Sequence, residues 1–201
     1  MMKNRAKKVI KKTVVGFALL SGIVVAGGNS ASAAPLNNVK DANGNPVEAG
    51  KKYYMESYAF PGQGLVYDTW SNNSWAKLGS RPGEVVTFQS SWAGDSVRMI
   101  TDENGLDYNE AGLPVPSPLY LSTDSKMDGV KLVLGAYADN TQWWIPTEPS
   151  SDMNFDFTAR NCVAFKNYDS NKFMSSGDSF GWLYVNKSNM DSKTMWRLIP
   201  Q

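Results

Sequence analysis

The chain repeats itself. Shifted back by 53 residues, its last third matches its middle third in four separate runs. Phe173-Met174-Ser175 falls on Tyr120-Leu121-Ser122, and Leu183 and Val185 fall on Val130 and Leu132. Thr194 falls on Thr141, and Trp196 and Leu198 fall on Trp143 and Ile145. The first third fits more loosely. Leu65-Val66 lies 55 residues before Tyr120-Leu121, and Phe88 lies 55 before Trp143. Val97 and Met99 precede Val163 and Phe165 by 66, which leaves an insertion of 13 residues between Asp102 and Pro118. A fixed period of this length means that each unit is one supersecondary motif that cannot bury its apolar face alone.

The units are made of strands. Apolar, β-favouring runs recur at Tyr53–Tyr58, Gly64–Thr69, Val85–Gln89, Val97–Thr101, Leu119–Ser122, Val130–Leu134, Gln142–Ile145, Cys162–Lys166, Leu183–Asn186 and Met195–Ile199. Gly, Asn and Asp turns separate them, and no segment sustains helical periodicity, which points to an all-β barrel or sandwich. Three units of about four strands resemble a β-trefoil, in which a six-stranded barrel is capped by three hairpins. In that architecture apolar residues of the three repeats meet on the axis. Phe88, Trp143 and Trp196 are expected there, as packed core and not as a ligand platform, because they alternate within strands.

Residues 1–33 read as a secretory signal. Lys3, Arg5, Lys7, Lys8, Lys11 and Lys12 precede an apolar run from Val14 to Ala26, and Ala31-Ser32-Ala33 supplies a small-residue cleavage site. The run falls short of the roughly 20 apolar residues that a membrane span needs. The leader resembles those of Gram-positive bacteria, so the product is expected to be secreted. Cleavage leaves a single domain, residues 34–201. The leader takes six of the 20 Lys and Arg and none of the 19 Asp and Glu, which moves the formal charge from +1 to −5. That balance speaks against a nucleic-acid partner.

The chain has no His and one Cys. This excludes Ser-His-Asp and Cys-His nucleophile systems and zinc sites built on those ligands. No intramolecular disulfide can form, and Cys162, inside a strand, is expected to be a buried inert thiol. Asp102, Glu103, Asp107 and Glu110 of the insertion could in principle pair for glycoside hydrolysis or bind calcium, but they lack the spacing of a calcium loop. The expectation is a monomeric protein that is not an enzyme and uses no cofactor or metal.

One stretch narrows the reading further. In VKDANGNPVEAGKKYYM, residues 39–55, Asp41 to Gly44 reads as an Asx turn with a glycine for positive φ, Val47 returns to the core, and Tyr53-Tyr54-Met55 opens a strand. Val39, Asp41, Gly44, Val47, Tyr53 and Met55 stand where the signature of the soybean trypsin inhibitor (Kunitz) family has its fixed positions, and the run resembles the start of that family. The resemblance implies a β-trefoil that inhibits serine proteases through the loop between its fourth and fifth strands. Here that loop is Ser90-Ser91-Trp92-Ala93-Gly94-Asp95-Ser96. It holds no Arg or Lys, so Trp92 or Ala93 would suit a chymotrypsin-, elastase- or subtilisin-like pocket. The chain departs from the family in lacking its disulfides and in offering only Asn37 and Asn38 as counterparts of a supporting Asn.

The alternative partner is a glycan. Ricin-type lectins share the trefoil and carry Gln-x-Trp in each repeat; here Gln142-Trp143-Trp144 is the one such triplet, and Asp68 is the one candidate for the sugar-binding Asp. Trp70, Trp75, Trp92, Trp144 and Trp182 are candidate exposed platforms for sugar rings. Pro114, Pro116 and Pro118 suggest an extended partner-contacting loop. A toxin component that binds cell surfaces would use the same scaffold.

Overall fold

The computed structural model describes residues 35–135, 139–149, 153 and 155–201. The expected leader, residues 1–33, lies outside them. The described chain contains twelve strands: β1 (Lys52–Ser57), β2 (Gln63–Trp70), β3 (Asn73–Ser80), β4 (Val85–Ser90), β5 (Val97–Tyr108), β6 (Pro114–Thr123), β7 (Val130–Leu134), β8 (Trp144–Thr147), β9 (Ala164–Asn167), β10 (Phe173–Ser176), β11 (Leu183–Lys187) and β12 (Trp196–Pro200). One five-residue helix, α1 (Phe155–Ala159), precedes β9. Among the described residues no helix is long and apolar enough to cross a membrane.

Six strands close a barrel. β1 pairs with β4 and β12, β4 with β5, β5 with β8, and β8 with β9. The last gap is shut by two backbone hydrogen bonds of 2.9 Å between Val163 and Trp196. The other six strands form the hairpins β2–β3, β6–β7 and β10–β11. Three bridges join the hairpins to one another: Trp75 to Lys131, Gly129 to Tyr184, and Trp182 to Lys77. The fold is a β-trefoil, as the repeat suggests.

Its core is built in threes. Met55, Met99 and Phe165 come from the first strand of each unit, Leu65, Leu121 and Met174 from the second, and Phe88, Trp144 and Trp196 from the fourth; each is at most 1% exposed. Burying a side chain of this size stabilises the fold by about 1.5–3 kcal/mol.

Trp144, not Trp143, holds the axial position, and this corrects two expectations at once. Trp144 is not an exposed stacking residue, and its indole donates to the Leu121 carbonyl at 3.0 Å inside the core. Trp143 is only partly buried and ends a 3₁₀ turn (Asn140–Gln142) that replaces the expected start of β8. The matching turn before β12 is Ser192–Thr194. The third repeat is one residue shorter than the second between Val185 and Ser192, so the register falls from 53 to 52 there. In a strand, a slip of one residue moves a side chain to the opposite face. The same correction applies in the first repeat, where Leu65 matches Leu121 and Phe88 matches Trp144, 56 residues on.

The insertion, expected as an extended loop, is a β-ribbon. β5 runs on to Tyr108 and β6 starts at Pro114, with Pro114, Pro116 and Pro118 opposite Tyr108, Leu106 and Asn104. Proline has no N–H to donate, so the three sit at alternate positions that leave the ladder between them intact. Asp102 pairs with Lys52 at 2.8 Å. Among the described residues no group of three or more His, Cys, Asp and Glu could hold a metal ion.

The amino-terminal motif folds as read. Asp41 Oδ1 accepts the N–H groups of Asn43 and Asn45 at 2.8 and 3.0 Å, and Gly44 adopts φ +86°. Val39, Val47, Tyr53 and Met55 are buried.

Candidate functional site

The three hairpin bridges follow one rule. Each joins a residue just before the buried core position of one hairpin to the residue two places past that point on another. The three equivalent positions are Trp75, Gly129 and Trp182. Two carry indoles and one carries nothing, so the pseudo-threefold cap is missing a third of its cover.

A cleft of about 240 Å³ results. Ala76 and Leu183 lie at its base, fully buried; Trp75, Trp182 and Tyr184 line it, and Trp70 and Met127, each about half exposed, stand at its mouth. A Cβ on Gly129 would come within 2.6 Å of Trp75 Cζ3, so no other residue fits there without moving the indole. The β2–β3 hairpin ends in a two-residue turn, Ser71-Asn72, with φ +51° and +64°. Positive φ at both positions is the hairpin turn that matches strand twist. It carries Trp70 over Trp75, with ring centroids 5.8 Å apart at 67°. The Trp75 indole donates to the Trp70 carbonyl at 3.0 Å.

Met127 is placed from below. Asp124 Oδ1 accepts the N–H groups of Lys126 and Met127, and Oδ2 takes the Lys131 ammonium at 2.8 Å. The Lys131 contact holds the Asp124 carboxyl below the usual carboxylate range. Its contribution is therefore complete at neutral pH and fades only as the pH falls through that lowered value. Asp68 makes the equivalent pair with Lys77 at 3.2 Å, so the one candidate sugar-binding Asp is engaged in an ion pair. Lys77 in turn lies 5.1 Å from the Trp182 ring centroid, within cation–π range.

The structure thus brings together Trp70, Trp75 and Trp182 from the sequence-based set, with Trp75 buried at 7% and not exposed as expected, and removes Trp144 to the core. Met127, Gly129 and Tyr184 complete the cleft; sequence reasoning missed them. The repeat places Gly129 on Trp182, 53 residues on, while its equivalence to Trp75 comes from the bridge pattern.

The Ser90–Ser96 segment is a compact turn. Ser91 N–H donates to the Ser96 carbonyl at 2.8 Å, and Gly94 N–H, at φ +75°, to the Ser91 carbonyl at 3.1 Å. Asp95 Oδ1 accepts both the Ser91 and Ser96 hydroxyls. Trp92 stands on this turn wholly exposed, at 104% of its reference area.

Cys162 is buried between Phe157, Ala164, Phe173 and Met195, and burial pushes its thiol up to about 11. At pH 8 the folded protein should react with a disulfide reagent roughly 100-fold more slowly than the urea-unfolded chain, and form no disulfide-linked dimer. Equal rates in the two states would show that the thiol is open to solvent.

No family model matches the chain, and no curated protein matches it. Solved structures do. The water-soluble chlorophyll protein of Brassica oleracea var. Botrytis, with chlorophyll b, is 16% identical over 81% of this chain and 98% of that one, with a TM-score of 0.55. The binding domain of botulinum neurotoxin serotype D is 13% identical over 81% of this chain and 44% of that one, at 0.56. The designed threefold-symmetric ThreeFoil is 12% identical over 75% of this chain and 99% of that one, at 0.51. The class these likenesses define is the β-trefoil.

Proposed function

We propose that the protein is an exported, non-catalytic carbohydrate-binding protein that receives its ligand in the aromatic cleft of the hairpin cap. The observation that carries this reading is the convergence of Trp70, Trp75 and Trp182 on one cleft, with Gly129 at the third equivalent position leaving room for the Trp75 indole. Flat indole faces bind the C–H face of a sugar ring through apolar contact, while a few polar groups beside them set orientation. Lys77, paired with Asp68 and 5.1 Å from the Trp182 ring centroid, and Tyr184, which lines the cleft, are such groups. One similar structure holds chlorophyll b and another is a toxin's binding domain, names that suit a scaffold used for binding. The basic, apolar leader supports export.

A glycan array compares the whole chain with Trp70→Ala. Trp70 is half exposed and the Trp75 hydrogen bond ends on its backbone, so the variant should keep its stability within about 1 kcal/mol. Binding to the preferred glycan should fall at least about tenfold, or roughly 1.4 kcal/mol. Unchanged binding, or no glycan bound by the parent chain, would refute the assignment.

Protease inhibition through Ser90–Ser96 is the second reading. The full exposure of Trp92 on a hydrogen-bonded turn favours it, because a rigid loop loses little freedom on docking. The closure of that turn between Ser91 and Ser96 counts against seating an extended segment in a protease cleft. Titration against chymotrypsin, elastase and subtilisin decides it: inhibition should be stoichiometric and lost in Trp92→Ala, and activity untouched at micromolar protein removes the reading.

A further inference from the structure

Trp92 gains no burial from the fold, yet it does not stand alone. The β4–β5 turn forms one wall of a second cleft, of about 330 Å³, whose other walls are the Asn140–Gln142 turn with Trp143 and the β9–β10 turn with Tyr168. It shares no residue with the cap cleft. We propose that this cleft is a second carbohydrate subsite, selective for a neutral hexopyranose with vicinal hydroxyls. The inference rests on the reading of the chain as a carbohydrate-binding protein and adds a site and a sugar class to it.

Three aromatic rings face one space there, two of them largely exposed: Trp92 fully and Tyr168 at 51%. Exposed aromatic rings grouped around a concave surface mark a binding site. The walls are braced from behind. Asn167, fully buried, donates to the carbonyls of Thr141 and Trp143 at 2.9 and 3.3 Å, and Tyr168 N–H donates to the Trp143 carbonyl at 2.9 Å. The Arg98 guanidinium, 3.7 Å from the Tyr120 ring centroid, lies 5.7 Å from that of Trp143. The aromatic surfaces are thus held in place before a ligand arrives.

The polar groups define the sugar. Asp95 Oδ1 is occupied by Ser91 and Ser96, while Oδ2 has no partner among the described residues. The Asn140 amide, on the facing wall, has none either. A carboxylate oxygen accepts from hydroxyls, and an amide both donates and accepts, which together match adjacent sugar hydroxyls. Asp139, capping the Thr141 N–H at 3.0 Å, adds a second carboxylate next to Asn140. Asp95 is the carboxylate among the lining residues and none of them is a cation, a balance that disfavours acidic sugars.

The test is a titration of the whole chain, followed by 1H–15N spectra, with the methyl glycosides of mannose, galactose and glucose and with sialic acid. Sugars are added to about 50 mM, above the millimolar Kd usual for one ring. At least one neutral glycoside should shift the Trp92 and Trp143 indole signals and the Asn140 side-chain amide, and sialic acid should shift none. Trp92→Ala and Asp95→Ala should each weaken that response about tenfold or more, and Trp70→Ala should leave it unchanged. The proposal is overturned by fixed Trp143 and Asn140 signals with every neutral sugar, or by an unaltered Kd in Trp92→Ala. The Trp70 and Trp182 signals in the same spectra report the cap cleft separately, so either site can fail alone.

Discussion

Trp144→Ala should destabilise the protein by about 4 kcal/mol, while Trp143→Ala, one residue away, should cost about 1 kcal/mol or less. The contrast follows from the register at the start of β8. Trp144 is fully buried among the axial residues, and truncating it opens a cavity that the barrel cannot close. The change also strips the Leu121 carbonyl of its 3.0 Å indole donor in a site without water access. An unmet buried acceptor adds about 1–3 kcal/mol to the loss of apolar contact. Trp143 keeps part of its surface in solvent, and its contact with Arg98 is peripheral. Urea unfolding of the two variants measures the difference directly. Equal costs would place the axial indole wrongly and with it the pseudo-threefold core.

Glu56→Ala is the second large effect, at about 2–4 kcal/mol. The Glu56 side chain is 6% exposed and joins three parts of the barrel. Oε2 takes Arg197 of β12 at 2.9 Å; Oε1 faces Arg81 at 3.5 Å and accepts the Gly62 N–H at 3.2 Å. Removing it leaves the Arg197 guanidinium, 30% exposed, without its carboxylate, and its Nε already has no partner. Breaking one side of a buried pair costs more than replacing both. The double variant Glu56→Leu with Arg197→Met should therefore recover at least half of the loss. Strict additivity of the two single changes would show that the pair is not coupled.

Much of this fold was legible because the repeat and the alternation of strands report burial directly. Phe88, Trp196, Met99 and Phe165 sit where the shifted sequence places them. The errors share one cause. A shift chosen on residue type cannot see a single-residue difference in a turn, and in a strand that difference exchanges the core face for the surface. Trp143-Trp144 is the hardest case, since both faces carry the same residue. β3 escaped detection because Asn73-Ser74 and Gly79-Ser80 bracket it with turn-like residues, although Trp75, Ala76 and Leu78 bury inside it. The insertion read as an extended loop for a similar reason, because three prolines are rare within a strand and fit this one only at alternate, non-donating positions.

The candidate site was legible in part. Tryptophans in an all-β chain drew attention to Trp70, Trp75 and Trp182, but sequence alone does not separate an indole on a cleft from one in a core. The decisive residue is Gly129, which has no side chain to notice. Only the threefold alignment with Trp75 and Trp182 shows that the third equivalent position lacks a side chain, which lets the Trp75 indole pack against the backbone there.

The central claim is that a ligand lies against the cap indoles. Labelling the seven tryptophans with 5-fluorotryptophan and recording 19F spectra, with and without the glycan selected on the array, tests it most directly. The signals of Trp70, Trp75 and Trp182 should shift or broaden on saturation, and those of the buried Trp144 and Trp196 should stay fixed. Unmoved Trp70, Trp75 and Trp182 signals at saturating glycan would contradict the claim.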